Sequence, residues 1–326
     1  MASTLPPGFL VRHPTMDDLD AVTKLTNAGE IADFGTPETT IELVRTRWQA
    51  PGVDLAADNW LVISPEGHVV GYAGISDNEH ARVFANIRVH PEYQSQGIAT
   101  VLLQRVEGRA RQHVPSAPPG ARVTLNTWTS SRNAAIKQLL EQSGYILVRH
   151  SWDMEIEMHE APPVPQWPEG VTVRTFVPGL ERAVFETDDE AFQDHWGYMP
   201  GKFEEWQYWT IKRENFDPTL WFLAFDGNEM AGISLCTYER GDGWVETLAV
   251  RRPWRRKGLG IALLFHSFGE FYRRGTHKVG LGVDSQNLTG ATRLYERAGM
   301  HVARQYDTYQ KELRPGVELS TQAIIV

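Results

Sequence analysis

The run Trp244-Val245-Glu246-Thr247-Leu248-Ala249-Val250, then Arg255-Arg256-Lys257-Gly258-Leu259-Gly260, then Ile261-Ala262-Leu263-Leu264-Phe265, decides how this chain is read. The first part has the composition of a buried strand, and the last continues with Phe268 and Tyr272 at helical spacing. Between them lies a glycine-bearing turn at a helix start. Without side chains at the glycines, backbone can pack close to a pyrophosphate, and the orphan N–H groups of the first helical turn point at it with the helix dipole behind them. The pattern implies an anionic ligand.

A degenerate copy stands 161 residues earlier, Gln94-Ser95-Gln96-Gly97-Ile98-Ala99. The strand-like Phe84-Ala85-Asn86-Ile87-Arg88-Val89 precedes it and Val101-Leu102-Leu103 with Val106 follows; Val89 to Gly97 spans the same eight steps as Val250 to Gly258. Each copy is followed by a strand, an Asn-containing turn and a helix ending at Gly. In the second half these are Val283-Asp284-Ser285-Gln286-Asn287 and Leu294-Tyr295-Glu296-Arg297-Ala298-Gly299-Met300. In the first they are Leu125-Asn126-Thr127, Asn133 and Leu139-Leu140-Glu141-Gln142-Ser143-Gly144-Tyr145.

This layout resembles the acetyl-CoA motif of the GNAT superfamily of N-acetyltransferases, and covers nearly the whole chain as two tandem modules, as in two-domain bacterial members such as the mycothiol synthase-like proteins. The resemblance implies an α/β (α+β) fold of two tandem GNAT-type modules. Each would be a mixed, mostly antiparallel twisted sheet flanked by helices with splayed central strands. It further implies acetyl-CoA as co-substrate, no metal, and transfer of an acetyl group to a small-molecule primary amine by direct attack on the thioester. Mycothiol synthase proper and a non-catalytic acyl-CoA-binding sensor or scaffold are the other readings.

A chain of 326 residues suits two cores of ordinary size, and the repeat makes that division concrete. Four prolines within 159–170 cannot sustain helix or central strand, so 159–168 reads as a linker between modules 8–158 and 169–326. Leu10-Val11-Arg12 and Val171-Thr172-Val173-Arg174 are matching first strands. Pro115-Ser116-Ala117-Pro118-Pro119-Gly120 reads as a surface insertion.

The charge divides as 13 basic against 19 acidic residues up to 160 and 19 against 22 beyond it, which offers no basic excess for nucleic acid. Cys236 alone excludes an intrachain disulfide and suggests no metal framework, and its apolar run favours a core thiol over a nucleophile. No leader-like run occurs in Met1 to Arg12 and no apolar run approaches a membrane span. A cytoplasmic monomer or homodimer, with no membrane or nucleic-acid partner, is the expectation.

Acyl transfer from a thioester to an amine requires a base for the ammonium, stabilisation of an oxyanion and a donor to the departing thiolate. The resemblance puts Tyr295, four residues before Gly299, at the thiolate, with plain helix packing as the other reading. Glu246 stands where a strand Glu is the expected base, with a solvated strand carboxylate as the alternative; period 2 places it on one face with Leu248. The same resemblance assigns the backbone N–H groups of Leu248 and Val250, flanking Ala249, to the thioester oxygen and pantetheine amides. The turn amides from Arg256 to Ile261, through Lys257, Gly258, Leu259 and Gly260, fit a pyrophosphate, with charge from Arg255, Arg256 and Lys257. Asn287 suits either the pantetheine arm or a helix cap.

In the first module Ala85 and Leu140 replace Glu246 and Tyr295, whereas Ile87, Val89, Gln94, Gln96, Gly97 and Ala99 keep the elements of a coenzyme site. That half reads as structural or coenzyme-holding. Acceptor recognition is expected in the helix–loop–helix region after Val171–Arg174, at His195, Trp196 and Tyr198, where aromatic faces and carboxylates suit an amine; an aromatic helix simply packed on the sheet is equally compatible.

Overall fold

The computed structural model describes residues 4–239, 241–287 and 290–322. Its elements run β1 (Leu10–Arg12), α1 (Leu19–Phe34), α2 (Ile41–Trp48), α3 (Leu55–Asp58), β2 (Asn59–Ile63), β3 (Val69–Asn78), β4 (Arg82–Val89), α4 (Ile98–His113), β5 (Val123–Ser130), α5 (Ala134–Gln142) and β6 (Ile146–Glu157). After the linker come β7 (Val171–Thr175), α6 (Glu181–Phe192), α7 (Phe203–Trp209), β8 (Trp221–Asp226), β9 (Glu229–Glu239), β10 (Asp242–Val250), α8 (Leu259–Arg273), β11 (Lys278–Asp284), α9 (Ala291–Arg297) and β12 (His301–Arg314). The expected strand and helix around the second turn are β10 and α8, and their counterparts are β4 and α4.

The two compact units are not the contiguous segments 8–158 and 169–326. One joins the chain up to His150 with Tyr306–Leu319; the other joins Ser151–Gln305 with the residues from Ser320. The reason is backbone pairing. Tyr306–Arg314 of β12 pairs antiparallel with β5, completing the first unit's sheet. Ser151–Glu157 of β6 pairs antiparallel with β11, completing the second's. The proline-rich segment 159–168 is irregular as expected, but the boundary between cores is drawn by strand pairing at long sequence separation, which no local composition reports.

In the first unit β1, β2, β3 and β4 are successive antiparallel neighbours, and β4 runs parallel to β5. Alternation along β2 sends Trp60 and Val62 to a core with α4 and α5, and Leu61 to a second core with α1 and α2. Tyr309 of β12 is buried in the first of these, with its hydroxyl donating to Glu141 at 2.9 Å.

The second unit repeats the scheme: β7, β8, β9 and β10 antiparallel, then β10 parallel to β11. β8 reads WFLAF without polar interruption because both faces are buried: Trp221, Leu223 and Phe225 meet the α6 side, Phe222 and Ala224 the α8 side. Each unit is thus a mixed, mostly antiparallel sheet flanked by helices. No helix among the described residues is long and apolar enough to cross a membrane.

Candidate active site

The second unit's sheet opens along β10. β10 pairs with β11 only at Gly243 and Trp244, while its antiparallel ladder with β9 continues to Val250 opposite Gly232. Gly280 makes the short parallel pair possible, since a Cβ there would lie 2.4 Å from the Trp244 ring. Beyond Trp244 the edge of β10 away from β9 has no ladder with β11. The Arg251 N–H donates to Ala231 of β9, so alternation turns the backbone groups of Ala249 toward β9 and those of Leu248 and Val250 toward the opening. These are the two positions expected to meet the pantetheine arm, and an edge of this kind accepts a ligand's amides as it would another strand.

Glu246 is the extra residue of a β-bulge: Val245 stands opposite Cys236 and Thr247 opposite Leu235. The bulge corrects the period-2 argument. Val245 and Leu248 both pack on the α8 side and Ala249 on the α6 side, so alternation breaks at Glu246, and Glu246 does not share a face with Leu248. Its carboxylate instead borders a cavity of about 230 Å3 lined by Trp209, Phe216, Trp221, Leu235 and Cys236 among others. Its surround is not purely apolar, because Arg213 Nη1 donates to Glu246 Oε1 at 2.8 Å. Cys236 is buried, and burial pushes its thiol up to about 11, so it is a protonated core thiol.

At the turn, Gly258 adopts φ +86° and hands the chain directly to α8, and Arg256 is also left-handed at φ 61°. A Cβ on Gly260 would lie 3.1 Å from Leu294 Cδ1 of α9, so the second glycine serves helix packing. Arg256 and Lys257 are exposed. Arg255 is used differently from the expectation. Its guanidinium donates to Asp194 Oδ2 at 2.6 Å and to the carbonyls of Val250 and Ala191, and Arg252 donates to Asp194 Oδ1 at 2.6 Å. Two arginines hold the buried Asp194 carboxyl down to about 2 and fasten the turn to the end of α6.

Tyr295 is buried on α9, and burial pushes its phenol up to about 12, which keeps it protonated at neutral pH. Asn287 follows β11 but does not cap α9, whose N-cap is Gly290; in the first unit Asn133 does cap α5, accepting from the Ile136 N–H at 3.2 Å.

His195, Trp196 and Tyr198 lie on one loop after α6. Burial lowers the His195 pKa, against an opposing pull from Asp284 at the end of β11. The loop is stitched to the C-terminal segment: Gly197 N–H donates to the Thr321 carbonyl, and Trp196 Nε1 to Gln322 Oε1 at 2.8 Å. Tyr198 turns its hydroxyl to Asp189 at 2.9 Å, which makes it an anchor of its own loop. Sequence reasoning missed Arg213 and Asp188. Asp188 accepts from Trp206 Nε1 at 2.9 Å, and burial pushes its carboxyl up to about 6. The run Asp188-Asp189-Glu190 gave no means of separating the buried carboxylate from its neighbours.

The first unit has a similar opening, with apolar residues at the positions of Glu246 and Tyr295. β4 and β5 pair only from Arg82 to Ala85, so Ile87 and Val89 border a like opening, and Gly97, at φ 76°, starts α4 after a 3-10 turn holding Gln94 and Gln96, with Ala99 in its first turn. The β3–β4 register runs without a shift from Arg82 to Val89, so there is no bulge, and Ala85 and Leu140 are both buried core residues.

Residues 26–145 and 183–300 each match the model of the Acetyltransferase (GNAT) family. The chain is similar to a mycothiol acetyltransferase of Streptomyces scabiei, 30% identical over 319 residues that cover 95% of this chain and 96% of that protein. Among solved structures it is similar to a GCN5-related N-acetyltransferase from Sphaerobacter thermophilus, at 39% identity and TM-score 0.84, covering 98% of this chain and 100% of that one. A tandem GNAT protein from the clavulanic acid biosynthesis pathway shares the fold at 16% identity, with TM-score 0.73 and coverage of 95% and 100%.

Proposed function

The chain belongs to the GNAT family of acetyltransferases, and from that premise we propose that its second unit transfers an acetyl group from acetyl-CoA to the primary amine of a small molecule. The observation that carries this reading is the open edge of β10 running into the left-handed turn at Gly258. The residues fit the coenzyme: a strand edge turned outward at Leu248 and Val250 meets a helix start with exposed Arg256 and Lys257. Coenzyme A supplies the acetyl group already activated as a thioester.

The chain's own residues then have separate tasks. Amides from Arg256 to Ile261 hold the pyrophosphate, while Arg255 and Arg252 fix the turn through Asp194. Glu246, at the cavity wall beside Trp209, Phe216 and Trp221, attracts the ammonium form and takes its proton, with Arg213 orienting the carboxylate. Tyr295 keeps its proton at neutral pH and gives it to the departing thiolate. His195 and Trp196 border the acceptor path, and Asn287 borders the coenzyme arm. The first unit holds coenzyme or shape without performing the transfer, since Ala85 and Leu140 carry no proton chemistry.

A second reading is favoured by the relative from Streptomyces scabiei: the acceptor is the cysteinyl amine of a mycothiol precursor. Both are tested by following thiol release from acetyl-CoA against a panel of aminoglycosides, polyamines, amino acids, peptide N-termini and cysteinyl amines. Release that requires an amine supports transfer, and the preferred amine chooses between the readings. Coenzyme binding without amine-dependent release would make the chain a sensor.

A further inference from the structure

The single cysteine suggested no metal framework, but the fold of the first unit brings together histidines and a carboxylate from residues far apart in sequence. Asp77 lies near the end of β3, His80 in the turn to β4, and His113 is the last residue of α4. His80 Nδ1 lies 2.9 Å from His113 Nδ1 and 3.0 Å from Asp77 Oδ2, and His113 Nδ1 lies 3.3 Å from Asp77 Oδ1. Two ring nitrogens and one carboxylate therefore face one another, with a ligand atom of each within 4.8 Å of the other two. We propose that Asp77, His80 and His113 form a site for a divalent transition-metal ion, zinc being the best match.

Proton counting carries the argument. If one imidazole bears its proton on Nδ1, the other Nδ1 presents a lone pair to the Asp77 carboxylate. If both bear one, two N–H groups face each other across 2.9 Å. With Asp77 ionised, every distribution of protons leaves at least one repulsive contact, and a cation at the centre removes it. The edges of 2.9 to 3.3 Å approach the roughly 3.3 Å that a tetrahedral site with about 2.05 Å bonds requires. Two imidazoles and one carboxylate are a zinc donor set, and the fourth position falls to water, because the His80 side chain is 45% exposed.

A second observation agrees. Glu79 and His80 are successive non-glycine residues in the left-handed region, at φ 49° and 54°. Turns of this kind are ordinarily built on Gly, Asn or Asp. Strain of this sort is held where the side chain's direction matters, and here it brings His80 over Asp77, whose Oδ2 also accepts the His80 backbone N–H at 2.8 Å. His113 Nε2 is buried without a hydrogen-bond partner among the described residues, so the proton it must carry in the metal-bound form has no acceptor. Such an outer partner is worth about 10- to 100-fold in affinity, so the site should bind more weakly than one with a complete outer shell. The ion would join the β3–β4 hairpin to the end of α4.

The test is calorimetric titration of zinc into the full chain after removal of metal with a chelator, with cobalt(II) absorption as the reporter of geometry. Binding of one zinc per chain, a cobalt spectrum of tetrahedral intensity, and loss of more than about 100-fold in affinity in His80→Gln support the site. His80 is partly exposed, so that variant should fold; far-ultraviolet circular dichroism verifies this, and His113→Gln provides the second ligand removal. Absence of saturable zinc binding, or binding unchanged in both histidine variants, overturns it.

Discussion

Replacing Asp194 with Asn should loosen the coenzyme turn and lower the stability of the fold together. Asp194 is buried at the end of α6 and accepts from Arg252 Nη2 and Arg255 Nη1, each at 2.6 Å. These contacts lower its pKa from 3.8 to about 2. At about 1.4 kcal/mol per unit, that corresponds to about 2 kcal/mol of stability. Because the folded pKa is depressed, the contribution is fully present above about pH 4 and is lost as pH falls through about 2. Asn keeps the shape but leaves two guanidinium groups facing a neutral amide, so about 2 to 4 kcal/mol is the expected loss at pH 7. Urea unfolding of both proteins at pH 7 and at the lowest pH where the wild type stays folded gives the difference and its convergence. Coenzyme KM should rise, since Arg255 also holds the Val250 carbonyl. Equal stability at pH 7, or a difference independent of pH, would refute the pairing argument; an unchanged coenzyme KM would detach Asp194 from the turn.

Gly258→Asp sits at φ +86° with open space around the added Cβ, so the fold should survive about 1 kcal/mol of strain while coenzyme binding is lost. The matched change at Gly97 should leave turnover near wild type; inactivity there alone would place the reaction in the first unit. Tyr295→Phe is expected to lower kcat about 100-fold with little change in coenzyme binding, and wild-type turnover would reduce Tyr295 to packing. Glu246→Gln should lower turnover, while wild-type turnover in the variant would assign the base elsewhere. Cys236, with its thiol pushed up to about 11, should resist aromatic disulfide reagents until the protein is unfolded; rapid native labelling would contradict its burial.

What was legible in the sequence was local or periodic. Strand β10, helix α8, the turn between them and its copy at Gly97 all follow from hydrophobic period and glycine placement. What escaped depends on pairing partners. A bulge exists only relative to β9, so the Trp244–Val250 run could not announce that Glu246 leaves the face of Leu248. Three basic residues in a row look alike until Asp194, 61 positions upstream, takes one of them. The unit boundaries failed for the same reason, since Tyr306–Arg314 reads as an ordinary last strand of the second half while its ladder is with β5.

The second unit's β11 has β10 beside it only at Gly243 and Trp244, because the sheet is open there; its other edge is covered by β6 from Ser151 to Glu157. Met154 of β6 is fully buried in the same core as Tyr295, Leu281 and Phe268, and Trp152 and Ile156 pack against that core. A site that needs β10 and β11 apart cannot use their mutual ladder to hold β11, so the strand on β11's far edge becomes the principal backbone support for the side that carries Asp284 and leads to Tyr295. That strand is continuous with the first half through Ile146–His150. The side of the opening that carries Asp284 therefore depends on β6 for its backbone pairing.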